Sequence, residues 1–166
     1  MSDTAFKTAL IVGAGFGISA SLARAFAAEE MKVALAARSV DKLRDLAADT
    51  GSTAFACDAT DPDAVETLFA SVDAQIGEPD VVVYNASGRL RGPIAELDPE
   101  AVRKAVEVTA FGAFLTVREA ARRMQKHGRG AILLTGATAS VKGMAQSVPF
   151  AMGKFALRGL AQSAAR

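Results

Sequence analysis

The chain has 166 residues, 51% of them hydrophobic, and a formal net charge of +1 from 19 basic and 18 acidic side chains. That suffices for the core of one soluble domain and excludes a charge-driven nucleic-acid binder, since no basic cluster or aromatic–basic interleaving occurs. No apolar run approaches the ~20 residues that cross a bilayer, the N-terminal MSDTAFK lacks the regions of a secretion signal, and the single Cys57 permits no intrachain disulfide, as expected in a reducing cytoplasm.

Thr8-Ala9-Leu10-Ile11-Val12 is a short apolar run of the kind a strand buried on both faces shows. The chain then turns through Gly13, Gly15 and Gly17 and resumes with helical spacing, which predicts Ile18, Leu22, Ala25 and Phe26 on one apolar face. A glycine turn between strand and helix lets the backbone bend tightly and approach a pyrophosphate, whose charge sits among the unpaired N–H groups of the helix N-terminus. Ile18 stands where G-x-G-x-x-G would need its third glycine. The spacing instead follows G-x-x-x-G-x-G, with Gly13 and Gly17 in place and Ser19 at the third position. Taken alone, such a turn also reads as a tight connection without a ligand.

Lys32–Ala37 is predicted as a second strand, followed by a helix from about Val40 to Ala48 with Asp41 as a possible cap. Ser52–Cys57 is a third strand. Asp61-Pro62 opens a helix running to about Gln75, its proline tolerated in the first turn. Asp80–Tyr84 is a fourth, nearly all-apolar strand; Asp98-Pro99 starts one long amphipathic helix ending near His127-Gly128. Ala131–Thr135 is a fifth strand and roughly Val148–Ala165 a final helix. Strands alternating with helices imply an α/β fold, a doubly wound parallel sheet with helices on both faces.

The glycine turn Gly13-Ala14-Gly15-Phe16-Gly17-Ile18, Asp58 after the third strand, Asn85-Ala86-Ser87-Gly88 after the fourth, Gly112 and Phe114 in the long helix, and Lys154 recur in order. In this the chain resembles the short-chain dehydrogenase/reductase family over essentially its whole length. The resemblance implies a single NAD(P)-binding Rossmann domain over 1–166, a small-molecule carbonyl or alcohol substrate, no metal, and a homo-oligomer, dimer or tetramer. It implies that Gly13, Gly15, Phe16, Gly17, Ile18, Arg38, Asp58, Ala59, Asn85, Ala86, Ser87 and Lys154 form the cofactor site. Asp58 would accept a hydrogen bond from the adenine amino group, although an Asp after a strand also serves turns and caps. Asn85 to Gly88 would lie near a ribose, the small residues allowing close approach. Arg38 replaces the acid that would bind a ribose 2′-hydroxyl and is able to grip a 2′-phosphate, so NADP is the expected cofactor, with NAD as the alternative. Phe16 stands where many NADP-preferring members carry a second basic residue. Cys57 reads as a small buried hydrophobe, Tyr84 as a packing residue, and His127 as a solvated cation at a helix end.

The departures concern the chemistry. The family's proton-donating tyrosine, four residues before the lysine, is Phe150; its carbonyl-polarising serine falls on Ala137; its helix asparagine falls on Thr109. Lys154 remains, Thr138 or Ser140 lies close enough to Ala137 to supply a hydroxyl, and Lys154, Thr138 and Thr109 are the candidate catalytic side chains. Relatives also continue to a sixth and a seventh strand, so the sequence is read either as naturally short or as a fragment. Two functional classes follow: an NADP(H)-dependent oxidoreductase with altered catalysis, or a nucleotide-binding sensor or scaffold that has lost the chemistry.

Overall fold

The computed structural model describes residues 6–166; residues 1–5, on which the reading of the N-terminus partly rests, lie outside the described residues. Strands β1 (Thr8–Val12), β2 (Lys32–Ala37), β3 (Thr53–Ala56), β4 (Val81–Tyr84) and β5 (Ala131–Leu134) form one parallel sheet in the order β3-β2-β1-β4-β5. Between and after them come α1 (Ile18–Ala28), α2 (Arg44–Thr50), α3 (Pro62–Gln75), α4 (Pro99–Val106), α5 (Gly112–His127) and α6 (Val148–Ala164). This is the doubly wound arrangement expected from the sequence.

The alternation of side chains along each strand divides the core in two. Ala9, Ile11, Val33, Leu35, Val81 and Val83 pack against α1 and α2, while Leu10, Val12, Val82 and Tyr84 pack against α3, α5 and Leu157 of α6. Both faces of β1 and β4 are therefore apolar, which is why these strands read as unbroken hydrophobic runs. The chain winds outward from β1 to β3, then returns past β1 to β4 and β5. The two halves part at the carboxyl ends of β1 and β4, where open sheets of this kind hold ligands.

Three predicted elements differ. The buried face of α1 is Ser19, Ala20 and Ala23, with Leu22 and Phe26 partly buried; Ile18 and Ala25 are exposed. Small residues bring this helix close to the sheet, and Ile18 sits at its open N-terminal end. The helix predicted from Val40 starts as a 3-10 turn over Val40–Leu43, where Asp41 pairs with Arg44 instead of capping, and α2 extends to Thr50 before Gly51 ends it at φ 64°. The long helix is not continuous: a π segment, Glu107–Phe111, separates α4 from α5. Asp98 and Asp61, at the helix starts the sequence suggested, act as caps, accepting from Ala101 N and from Asp63 N and Ala64 N. The π segment turns the Val108 carbonyl toward Tyr84, whose hydroxyl donates to it.

Candidate active site

The turn after β1 is shaped by Gly13 and Gly17, at φ 80° and 78°, a backbone region that side chains rarely adopt. A Cβ on Gly13 would overlap the backbone of Ala86, so the turns after β1 and β4 lie in contact. Around Gly15 and Gly17 the space is open, with nothing within 4 Å of an added Cβ. Gly17 provides no side-chain cap and the first turn of α1 holds no acid, which leaves the N–H groups of this helix end to an external anion. Ser19, at the third motif position, is fully buried; it donates to Gly13 O (3.2 Å) and accepts from Asn85 Nδ2 (2.7 Å). A glycine there could not make this tie between the two turns.

A cleft of about 380 Å³ runs along these turns and gathers Gly13, Gly15, Phe16, Arg38, Asp58, Ala59, Asn85, Ala86 and Ser87. Sequence reasoning missed Ser39, Lys42 and Thr60, which line it too. Lys42 stands four positions after Arg38, a spacing that could have flagged it, and supplies the second basic group that Phe16 does not. Asp58 Oδ1 accepts from Thr60 N (3.0 Å) and Thr60 Oγ1 (2.8 Å); these two bonds, aided by the Arg38 charge, hold its carboxyl below the usual range. Asp58 therefore has a turn role and a place in the cleft at once. Cys57, buried beside it, has its thiol pushed up to about 11, first by burial and then by the charge of Asp58.

The buried hydroxyl of Ser87 has no partner within the protein, an orphaned polar atom on the cleft wall. With the open glycine backbone and the uncapped helix end, it makes the residues present a fit for a dinucleotide.

Ser87, Asn85 and Phe16 also line the adjoining cleft, together with Ile18, Arg89, Ala137, Phe150 and Lys154. Lys154 is 3% exposed; its Nζ donates to Thr135 O (2.6 Å) and lies 5.7 Å from the Phe150 ring centroid. Burial, and then the nearby charge of Arg89, lower the pKa of its ammonium.

The other catalytic candidates sit elsewhere. Thr109 is fully buried, its Oγ1 donating to Ala105 O and accepting from Gly88 N, both at 2.9 Å. It braces the turn after β4 from behind. Thr138 is exposed on a 3-10 turn outside the lining of either cleft, and Ser140 is committed to the Ala137 N–H (3.1 Å). Tyr84 is buried, its hydroxyl spent on Val108 O and its pKa raised by burial. His127 pairs with Glu78 at 2.6 Å and lines neither cleft. Among the described residues no cluster of His, Cys, Asp and Glu could hold a metal, and no helix is long and apolar enough to cross a membrane.

The family model of the short chain dehydrogenases matches residues 7–166. Among curated proteins, the 3-oxoacyl-acyl-carrier-protein reductase MabA of Mycobacterium avium is 31% identical over 160 residues, which cover 96% of this chain and 60% of that protein. Among solved structures, a short-chain dehydrogenase from Rhodopseudomonas palustris superposes with a TM-score of 0.89 at 36% identity, covering 96% of this chain and 77% of that one. A metagenomic short-chain oxidoreductase solved in complex with NADP gives 0.90 at 30% identity, covering 96% and 75%. With glycine turn, Asp58, Asn85 and Lys154 gathered on one cleft system and the match spanning nearly every residue, the chain belongs to the short-chain dehydrogenase family.

Proposed function

We propose that this chain carries the cofactor site of an NADP(H)-dependent oxidoreductase that interconverts a carbonyl and an alcohol, slowly for its family. The observation that carries the reading is the convergence of Arg38 and Lys42 at one end of the cleft system and Lys154 at the other, with the open glycine backbone between them. Arg38, Ser39 and Lys42 bind a ribose phosphate, Asp58 the adenine, and Gly15, Gly17 and the N-terminus of α1 the pyrophosphate. Asn85, Ala86 and Ser87 flank the ribose on the nicotinamide side. When bound, the cofactor supplies the hydride. The Lys154 ammonium stabilises negative charge developing on the substrate oxygen, and water delivers the proton that Phe150 cannot. Thr109 positions the turn that carries Ser87 and Gly88.

The sequence spans 60% of the length of MabA. A reducing cytoplasm suits the lone buried thiol. Titration with NADPH and NADH by fluorescence, followed by turnover on a panel of aldehydes, ketones and alcohols, tests the reading. Tighter binding of NADPH with slow carbonyl reduction is expected. Binding with no turnover on any member of the panel would favour the sensor or scaffold reading that Phe150 and Ala137 raise. Absence of NADPH binding would overturn both.

A further inference from the structure

We propose that the cleft takes an oxo acid or hydroxy acid, its carboxylate held by Arg89 on the ring of Phe150; this deepens the oxidoreductase reading above and rests on it. The Arg89 Cζ lies 5.3 Å from the centroid of that ring, within cation–π reach. Among the described residues Arg89 makes no hydrogen bond or ion pair, so the ring steadies the guanidinium while its N–H donors stay available. A planar fork of donors matches a carboxylate bidentately.

The charges around it point the same way. The cleft lined by Asn85, Ser87, Arg89, Ala137, Phe150 and Lys154 holds two cations and no acid. Both cations lie over one ring, at 5.3 and 5.7 Å, and they repel each other. An anion in the cleft relieves that repulsion. Lys154 is buried, gives one of its three donors to Thr135 O and is assigned above to the reacting oxygen, which leaves the carboxylate to a second group. Arg89, exposed on the same cleft, is the group left to meet it. Phe150 then has a use of its own: it is the platform for the guanidinium, a role that needs a ring and no hydroxyl.

Levulinate and its uncharged methyl ester, titrated calorimetrically with and without saturating NADP+, test this. The carboxylate should bind about 10–100-fold more tightly than the ester, the range of a charged hydrogen-bonded contact. Arg89→Ala should erase the difference, Arg89→Lys should keep only part of it, and Phe150→Leu should reduce it. Phe150→Tyr, which keeps the ring, should preserve it. Equal binding of acid and ester, a preference surviving Arg89→Ala, or no binding of either overturns the proposal. A separate NADPH titration of wild type and Arg89→Ala keeps the two readings apart. Failure of wild-type NADPH binding counts against the cofactor site, whereas the arm without NADP+ still decides whether Arg89 selects a carboxylate.

Discussion

A Cβ on Gly112 would lie 2.8 Å from Ala59 O and against the Tyr84 hydroxyl. Gly112→Ala must therefore displace buried Tyr84 or the Ala59 backbone, which lines the cleft, and should cost about 1–3 kcal/mol. Urea denaturation would register this as a lower midpoint at an unchanged slope. Thr109→Val leaves the Gly88 N–H without its buried acceptor and should cost a similar amount, roughly 1–3 kcal/mol. Arg38 and Lys42 both line the cleft, and in the proposed reading they would distinguish a phosphate from a hydroxyl. Arg38→Asp should lower the preference for NADPH over NADH by about 10–100-fold, because it exchanges a charged hydrogen bond for a repulsion. An unchanged ratio of the two dissociation constants would remove Arg38 from cofactor selection.

At the scale of elements, α6 carries both Phe150 and Lys154, four positions apart and hence on one helical side. Restoring the hydroxyls with Phe150→Tyr and Ala137→Ser should raise turnover in single-turnover assays. A positioned acid is worth ~10²–10⁴-fold and a polarising donor on the order of 10²–10³-fold, but groups acting as a unit do not multiply. A double variant that binds NADPH and stays inert would place the deficit outside these side chains. The pH dependence follows from Lys154. In the proposed mechanism its charged form stabilises the substrate oxygen, and burial together with Arg89 lowers the pH at which that charge is lost. Carbonyl reduction should therefore decline on the alkaline side at lower pH than an ordinary lysine would impose. Arg89→Ala should move that limb upward, and Lys154→Arg, which stays charged, should abolish it. A limb that ignores both substitutions belongs to another group. The π segment between α4 and α5 serves the same region, since it frees Val108 O for Tyr84 and carries the buried Thr109.

For the whole molecule, Phe111 and Phe114 stack at 6.1 Å between ring centroids and remain substantially exposed, as do Met152 and Phe155 on α6. Leu157 of the same helix is buried within the core. The apolar surface left over is a patch of the kind that marks association, and a homo-oligomer formed through α5 and α6 is the expected outcome. Light scattering at micromolar concentration should give a dimer or tetramer, and Phe114→Asp should shift it toward monomer without changing the NADPH dissociation constant. A wild-type monomer would refute this. The sheet edges are formed by β3 and β5, and β5 leaves Leu133 exposed, a hydrophobic edge that benefits from any cover.

How much of this was legible follows from the range of the interactions. The sequence by itself determined the strands and most helices: β1 and β2 span the residues their apolar runs predicted, and α3 ends at Gln75 as its spacing implied, because burial on two faces and helical periodicity are written in neighbouring residues. It also determined the order of glycine turn, Asp58, Asn85 and Lys154, since each falls just beyond a strand or on a helix whose position the pattern sets. Only the tertiary structure decided which of these side chains meet. Ser19 and Asn85, 66 residues apart, bond because β1 pairs with β4, and Lys42 joins Arg38 because a 3-10 turn folds it back over the cleft. The sequence showed a tyrosine missing at 150, but not that Arg89 lies over the phenyl ring there, nor that Thr109 bonds Gly88 and Thr138 lies outside the lining of either cleft. Those outcomes depend on strand order and on one irregular turn of helix. Both are fixed by contacts between distant segments, which local periodicity does not encode.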